Sequence, residues 1–125
     1  MTVIYRLTGA EESLADIIWA NSPLSTNQLV RLAEESHGWK RTTTYTILKR
    51  LCDKGIFANM NATVSTLVNR DEFRAGLSRR YVEDSFGGSL PLFMASFFSG
   101  KKLSRKQAEE LRRLIDEHEA GEGNG

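Results

Sequence analysis

The chain has 125 residues, 40% of them hydrophobic, and its 17 Lys+Arg against 16 Asp+Glu leave a formal net charge of +1. That suits one core with a small appendage, not two large domains, and the near-zero charge by itself announces no nucleic-acid partner. A single cysteine, Cys52, excludes an intramolecular disulfide framework and fits a reducing compartment, and the most apolar stretch, Leu90 to Phe98, is too short to span a bilayer. The opening MTVIYRLTGA lacks the basic-then-apolar pattern of a signal peptide, so a cytoplasmic location without membrane insertion is expected.

The first helix signal is Thr8-Gly9-Ala10-Glu11, a capping box in which Glu11 reaches back to Thr8. Ala10, Leu14, Ile17 and Ile18 then recur at helical spacing until Asn21-Ser22-Pro23 stops the run. A second box, Ser25-Thr26-Asn27-Gln28, opens a helix whose apolar side is Leu29, Leu32 and Ala33 and which ends near His37-Gly38. A third helix runs from Lys40 or Arg41 to Lys54, with Gly55 supplying the left-handed residue beyond it. The spacing of Thr44, Ile47, Leu48 and Leu51 marks one buried stripe. Next come strand-like segments, Ile56-Phe57-Ala58 and Thr63 to Val68, with Asn59-Met60-Asn61 as the turn region. Three short helices followed by a hairpin is the order of a winged helix-turn-helix.

From Asp71 the pattern is helical again, with Phe73, Leu77 and Tyr81 at four-residue spacing and Val82 beside them, until Gly87-Gly88 breaks it. Leu90 to Phe98, containing Pro91, is apolar nearly all round. Gly100-Lys101-Lys102 reads as a turn. A third box, Ser104 to Gln107, opens a last helix with Ala108, Leu111, Leu114 and Ile115 on one face. The fold expected is mainly α: a winged helix-turn-helix over residues 1–70, a three-helix dimerisation segment over 71–118, and a disordered tail over 119–125.

Charge distribution says more than net charge. Between Gly38 and Lys54 stand Lys40, Arg41, Lys49, Arg50 and Lys54 against Asp53 alone, a local excess of four positive charges. The side of the third helix opposite its buried stripe offers Thr42, Thr43, Tyr45, Thr46, Lys49 and Arg50. Threonine can reach base edges, its methyl can touch a thymine methyl, and the basic residues can pair with phosphates. The expected DNA-contacting set is therefore Lys40, Arg41, Thr42, Thr43, Tyr45, Thr46, Lys49 and Arg50. Trp19 and Trp39 read as core residues and Cys52 as an inert thiol. His37 and His118 have no metal-ligand spacing, so no metal, cofactor or catalytic site is assigned.

These motifs, in this order, resemble the penicillinase-repressor family (BlaI/MecI/CopY-type transcriptional repressors). The resemblance runs from about Leu7 to Glu117 and is carried by Trp39, by Thr43, Thr46, Leu48, Arg50, Leu51, Lys54 and Gly55, and by the Phe86-Gly87-Gly88-Ser89-Leu90 break. It implies a non-enzymatic homodimer on a near-palindromic operator, controlling a resistance or stress-response operon. In antibiotic-responsive members it implies release by a membrane sensor-protease that cuts an Asn-Phe bond. Ser96-Phe97 stands at that position as the candidate cleavage bond, without the asparagine. The copper-responsive branch ends in a cysteine cluster, whereas this chain has Cys52 only. Family wings carry a Gly-Arg turn, but here NMNATVSTLV has no basic residue, so the recognition helix must bear more of the binding. The expected dimer residues are Phe73, Leu77, Tyr81, Leu92, Phe93, Phe97, Phe98, Leu111, Leu114 and Ile115, because a helix apolar on every side must be buried on every side. The alternative reading is a protein-interaction module on a winged-helix scaffold that does not bind DNA.

Overall fold

The computed structural model describes residues 2–120. The elements run α1 (Gly9–Asn21), β1 (Leu24–Ser25), α2 (Thr26–His37), α3 (Arg41–Asp53), β2 (Phe57–Met60), β3 (Thr63–Thr66), α4 (Arg70–Phe86), α5 (Leu90–Phe98) and α6 (Arg105–His118). The strands form one antiparallel sheet in the order β1-β3-β2. This is a winged helix followed by three further helices. No helix of the described residues is long and apolar enough to cross a membrane.

Local chemistry sets the helix ends. Thr8 with Glu11, Ser25 with Gln28 and Asn69 with Glu72 make complete capping boxes at α1, α2 and α4, each satisfying donors that a helix start leaves free. Ser89 caps α5. Ser104 caps α6 by accepting from the Gln107 N–H, but Gln107 returns no bond, so the box expected there is half formed. Gly38 ends α2 at φ 66°, a left-handed turn that admits glycine without strain.

The core is built from one side of each winged-helix element: Leu14, Ala15 and Ile18 of α1, Leu29 and Ala33 of α2, Ile47, Leu48 and Leu51 of α3, then Ile56, Phe57 and Val64. Trp19 and Trp39 are half-buried against it, and the Trp19 indole N–H donates to the Val68 carbonyl at 2.9 Å.

Five expectations are corrected. Ala10 is exposed, and the inner face of α1 carries Glu11 and Ala15 instead, because Thr8 fixes the phase of the first turn. The buried side of α2 includes Val30 as well as Leu29 and Ala33. The hairpin turn lies at Asn61-Ala62, both with positive φ (53° and 60°), so Asn59 and Met60 belong to β2. A third strand, β1, pairs Leu24 with Val64. Phe73, expected at a dimer interface, is buried in the chain's own core, its ring 5.6 Å from both Trp19 and Tyr5. The first turn of α4 thus completes the winged helix.

Beyond Phe73 the chain buries little. Phe86 and Phe93 meet edge-on at 5.3 Å, Tyr81 lies about 6 Å from both, and Phe97 continues the chain of rings from Phe93 at 6.1 Å. Neither α5 nor α6 has a buried residue. Glu119 and Ala120 follow α6 without regular structure, and the rest of the tail expected to be disordered, 121–125, lies outside the described residues.

Candidate nucleic-acid interface

The site is built on α3 and the turn before it. Thr44, Ile47, Leu48 and Leu51 are buried, which turns the other side of the helix outward. Lys40, Arg41, Thr42, Thr43, Thr46, Lys49 and Arg50 are exposed there, and Tyr45 is half-buried. The structure thus brings all eight expected residues onto one helix and its N-cap.

Their freedom differs. The Arg41 guanidinium donates to Asn27 Oδ1 at 3.0 Å and lies 5.3 Å from the centre of the Tyr45 ring. The first contact ties it to the first turn of α2, and the second lays it along α3's own Tyr45. The Thr46 hydroxyl donates to the Thr42 carbonyl at 2.9 Å, leaving its lone pairs and methyl facing out. Lys49 pairs with Asp53 at 3.0 Å on the open surface, an arrangement worth only a few tenths of a kcal/mol and readily given up to a phosphate. Lys40, Thr42, Thr43 and Arg50 have no side-chain partner among the described residues.

The N-terminus of α3 stands apart from the others. Its N-cap is Lys40, and no side chain caps it, whereas each of the other five helices of the described residues has a Ser, Thr or Asn cap. The first N–H groups of α3 are therefore free at the positive end of the helix dipole, beside Lys40 and Arg41. Such a terminus suits a phosphate. The missing Ser, Thr, Asp or Asn at position 40 is legible in the sequence. Asn27 is not, because nothing along the chain ties it to Arg41.

The wing offers less charge. Met60 at its end is 71% exposed, and no basic residue lies between Ile56 and Val68. The turn is nonetheless fixed, since the Thr26 N–H donates to the Ala62 carbonyl at 3.0 Å. Cys52 is half-buried, and burial followed by the neighbouring Asp53 carboxylate pushes its thiol pKa up, away from reactivity. Among the described residues no three His, Cys, Asp or Glu side chains converge on a metal-sized site.

The penicillinase repressor family model matches residues 7–117. The penicillinase repressor of Bacillus licheniformis is 22% identical over 122 residues, covering 94% of this chain and 95% of that one. The methicillin resistance regulatory protein MecI of Staphylococcus aureus (strain N315) is 23% identical over 116 residues, covering 90% and 94%. The transcriptional regulator BlaI of Mycobacterium tuberculosis (strain CDC 1551 / Oshkosh) is 30% identical over 135 aligned positions, covering 99% and 93%. Among solved structures, the DNA-binding domain of the repressor BlaI is similar with a TM-score of 0.52 at 22% identity, over 58% of this chain and 93% of that one. That likeness bears on the fold, which is a winged helix. On the extent of these matches, the chain belongs to the penicillinase repressor family, a family of transcriptional repressors and not of enzymes.

Proposed function

We propose that the chain is a sequence-specific repressor that binds double-stranded operator DNA through α3 as a homodimer. One observation carries the reading: α3, alone among the helices of the described residues, has an uncapped N-terminus, and it sits at the head of an exposed face bearing Lys40, Arg41, Lys49, Arg50 and three threonines. Phosphates would take the free N–H groups and the charges of Lys40, Lys49 and Arg50, fixing the register of the helix in the major groove. Thr42, Thr43 and Thr46 would then meet base edges and thymine methyls. Arg41, held by Asn27 and Tyr45, enters the groove already ordered, with Tyr45 beside it.

The exposed apolar faces of α5 and α6 support a dimer through residues 71–118. Two copies related by a two-fold axis would read a near-palindromic site with half-site centres roughly 34–36 Å apart, or a multiple of that. The relatives are named for penicillinase and methicillin resistance, which supports control of a resistance or stress operon in the cytoplasm. Release by a membrane sensor-protease is less well supported. Ser96-Phe97 lies within α5, where a protease would have to unwind the helix, and it lacks the asparagine. We expect induction by another route, and mass mapping of fragments after exposure to a co-encoded sensor-protease tests this. A clean cut at Ser96-Phe97 would reverse it.

The experiment that tests DNA binding is selection of duplexes from a randomised pool by the full chain, followed by a salt titration of the selected sequence. A repressor enriches a two-fold-related motif and loses affinity steeply with salt through counterion release. The uncharged wing favours a second reading, a protein-interaction module. Absence of any enriched motif, with no salt-dependent binding, would support that module.

A further inference from the structure

Residues 2–8 have no regular secondary structure, yet their burial alternates: Val3, Tyr5 and Leu7 turn inward against the core while Ile4 and Arg6 face out. This strap is tied at two places. Towards α3, the Ile4 N–H donates to the Lys54 carbonyl at 3.0 Å, and the Lys54 ammonium donates to the Arg6 carbonyl at 2.6 Å. Towards α4, the Tyr5 ring stands 5.6 Å from Phe73 and occupies the space over Gly76. A Cβ built on Gly76 would lie 2.1 Å from Tyr5 Cε1, far inside contact distance. Gly76 is in the interior of a 17-residue helix, where glycine is a poor choice for helix formation. Its missing side chain is what admits the ring.

The place of this contact on α4 matters. Its first turn is fixed by Phe73 against Trp19, and by Arg70, which pairs with Asp16 at 3.2 Å and covers the Trp19 ring. An open groove of about 660 Å³ runs beside the strap, lined on α4 by Arg70 and Phe73 before Gly76 and by Leu77 and Tyr81 beyond it. Tyr5 on Gly76 therefore lies where α4 leaves the winged helix for the aromatic cluster with α5. At 1.5 Å per residue, the end of α4 at Phe86 lies about 15 Å further on. A tilt of about 10° at Gly76 would displace that end by roughly 3 Å, close to the ~3.4 Å rise of one base pair.

We infer that Tyr5 and Gly76 are positioning residues for operator binding: through the strap, they lock the direction of α4 to the C-terminus of α3 and so set the distance between the two recognition helices of a dimer. This rests on the dimeric reading proposed above. Neither residue touches DNA. A loosened contact leaves each winged helix able to bind a half-site while the two lose their common spacing.

The test uses the full chain and duplexes selected by the parent, re-spaced by one and two base pairs, together with a single half-site. The parent is expected to favour its selected spacing at least tenfold. Gly76→Ala and Tyr5→Ala are expected to flatten that preference to within about threefold, with half-site affinity within twofold of the parent. Tyr5→Phe, which keeps the ring, restores the preference. Equal losses on half-site and all spacings would mean a damaged winged helix, and an unchanged spacing preference would mean no positioning role; either overturns the inference. A second measurement needs no DNA. In a Cys52→Ser background, a spin label at Glu35→Cys on exposed α2 reports the distance between the protomers, which Gly76→Ala is expected to broaden or shift by several ångströms. A distribution identical to the parent's refutes the lock. A parent that enriches no DNA motif, or gives no inter-protomer signal, refutes the repressor reading or the dimer instead.

Discussion

Lys54, at the C-cap of α3, donates its ammonium to the carboxylate of Glu11, a buried residue in the first turn of α1. Glu11 also accepts the Thr8 N–H at 3.0 Å, so one carboxylate caps α1 and ties it to α3. Burial alone would raise the Glu11 pKa. The Lys54 hydrogen bond, the Thr8 N–H and the charges of Lys54 and Arg50 outweigh it and hold the carboxyl below its ordinary value.

This pair gives a stability prediction with a definite sign. Glu11→Gln keeps the cap acceptor but leaves Lys54 without its counter-charge. Removing one partner of a fully buried pair costs roughly 3–5 kcal/mol. Lys54 keeps 20% of its side chain in solvent, so about 2 kcal/mol is expected here. Because the folded pKa is depressed, the contribution is complete above the unfolded value of about 4.3 and is lost as pH falls through the folded value. Urea unfolding of parent and variant should therefore differ most at neutral pH, with the difference narrowing in acid. A difference that does not change with pH would show that ionisation of Glu11 contributes nothing, and coincident curves would show that the pair does not.

Thr44 offers the opposite kind of test. It is buried in α3, and its hydroxyl has no hydrogen-bond partner among the described residues. An unsatisfied buried hydroxyl is unfavourable by about 1–3 kcal/mol. Thr44→Val keeps the shape and removes the orphan, so stability should hold or rise by up to about 1 kcal/mol, less the small helix-propensity difference. DNA affinity should not change, since the side chain faces the core. A loss of more than 1 kcal/mol in denaturant unfolding would contradict this.

Much of this architecture is legible in the chain because it is locally encoded. Thr8 with Glu11, Ser25 with Gln28 and the Thr44, Ile47, Leu48, Leu51 stripe are short-range patterns, and they fix the helices and the outward face of α3. What escapes is long-range. Leu24 joins the sheet through Val64, in a strand too short to show periodicity. Glu11 is hidden as a core residue because its partner lies 43 positions away. Phe73 shares a four-residue spacing with Leu77 and Tyr81, yet it packs on Trp19 and Tyr5, which the spacing cannot reveal.

The recognition face can be probed with two substitutions of different kinds. Arg50 is exposed, with no side-chain partner among the described residues, and faces away from the stripe. Arg50→Ala is expected to weaken binding to all duplexes alike and to reduce the logarithmic salt slope by about 1, the effect of losing one phosphate contact. Thr46 has its hydroxyl proton committed to Thr42, so its methyl and lone pairs are what DNA can meet. Thr46→Ser, which removes the methyl, is expected to change discrimination at one base pair by up to about 1 kcal/mol and to leave the salt slope alone. If both variants match the parent on specific and random DNA, α3 is not the reader.

The last prediction concerns α5 and α6. Leu90–Phe98 forms a helix as its sequence suggests, but the chain alone does not cover it. Phe93 is half-buried by Tyr81 and Phe86, whereas Leu92 and Phe97 remain more than half exposed, and so does Ile115 of α6 at 65%. A helix that is apolar nearly all round and left in water is unfavourable, and the most economical cover is a second copy meeting the same face across a two-fold axis. Burying each such side chain contributes roughly 1.5–3 kcal/mol, or about 10–100-fold in dissociation constant. Phe97 is the cleaner probe, because its more exposed ring meets only its α5 neighbours Phe93 and Phe98 and the Lys101 ammonium, while Phe93→Ala also breaks the contacts with Tyr81 and Phe86 that join α5 to α4. Phe97→Ala is therefore expected to weaken dimerisation by at least tenfold with the winged helix still folded, and Phe97→Ala with Ile115→Ala to give monomers at micromolar concentration. The loss should carry over to operator binding, because each half-site must then be bound alone. Sedimentation equilibrium of the parent and both variants reads this directly, and a parent that is monomeric at micromolar concentration would refute the dimer.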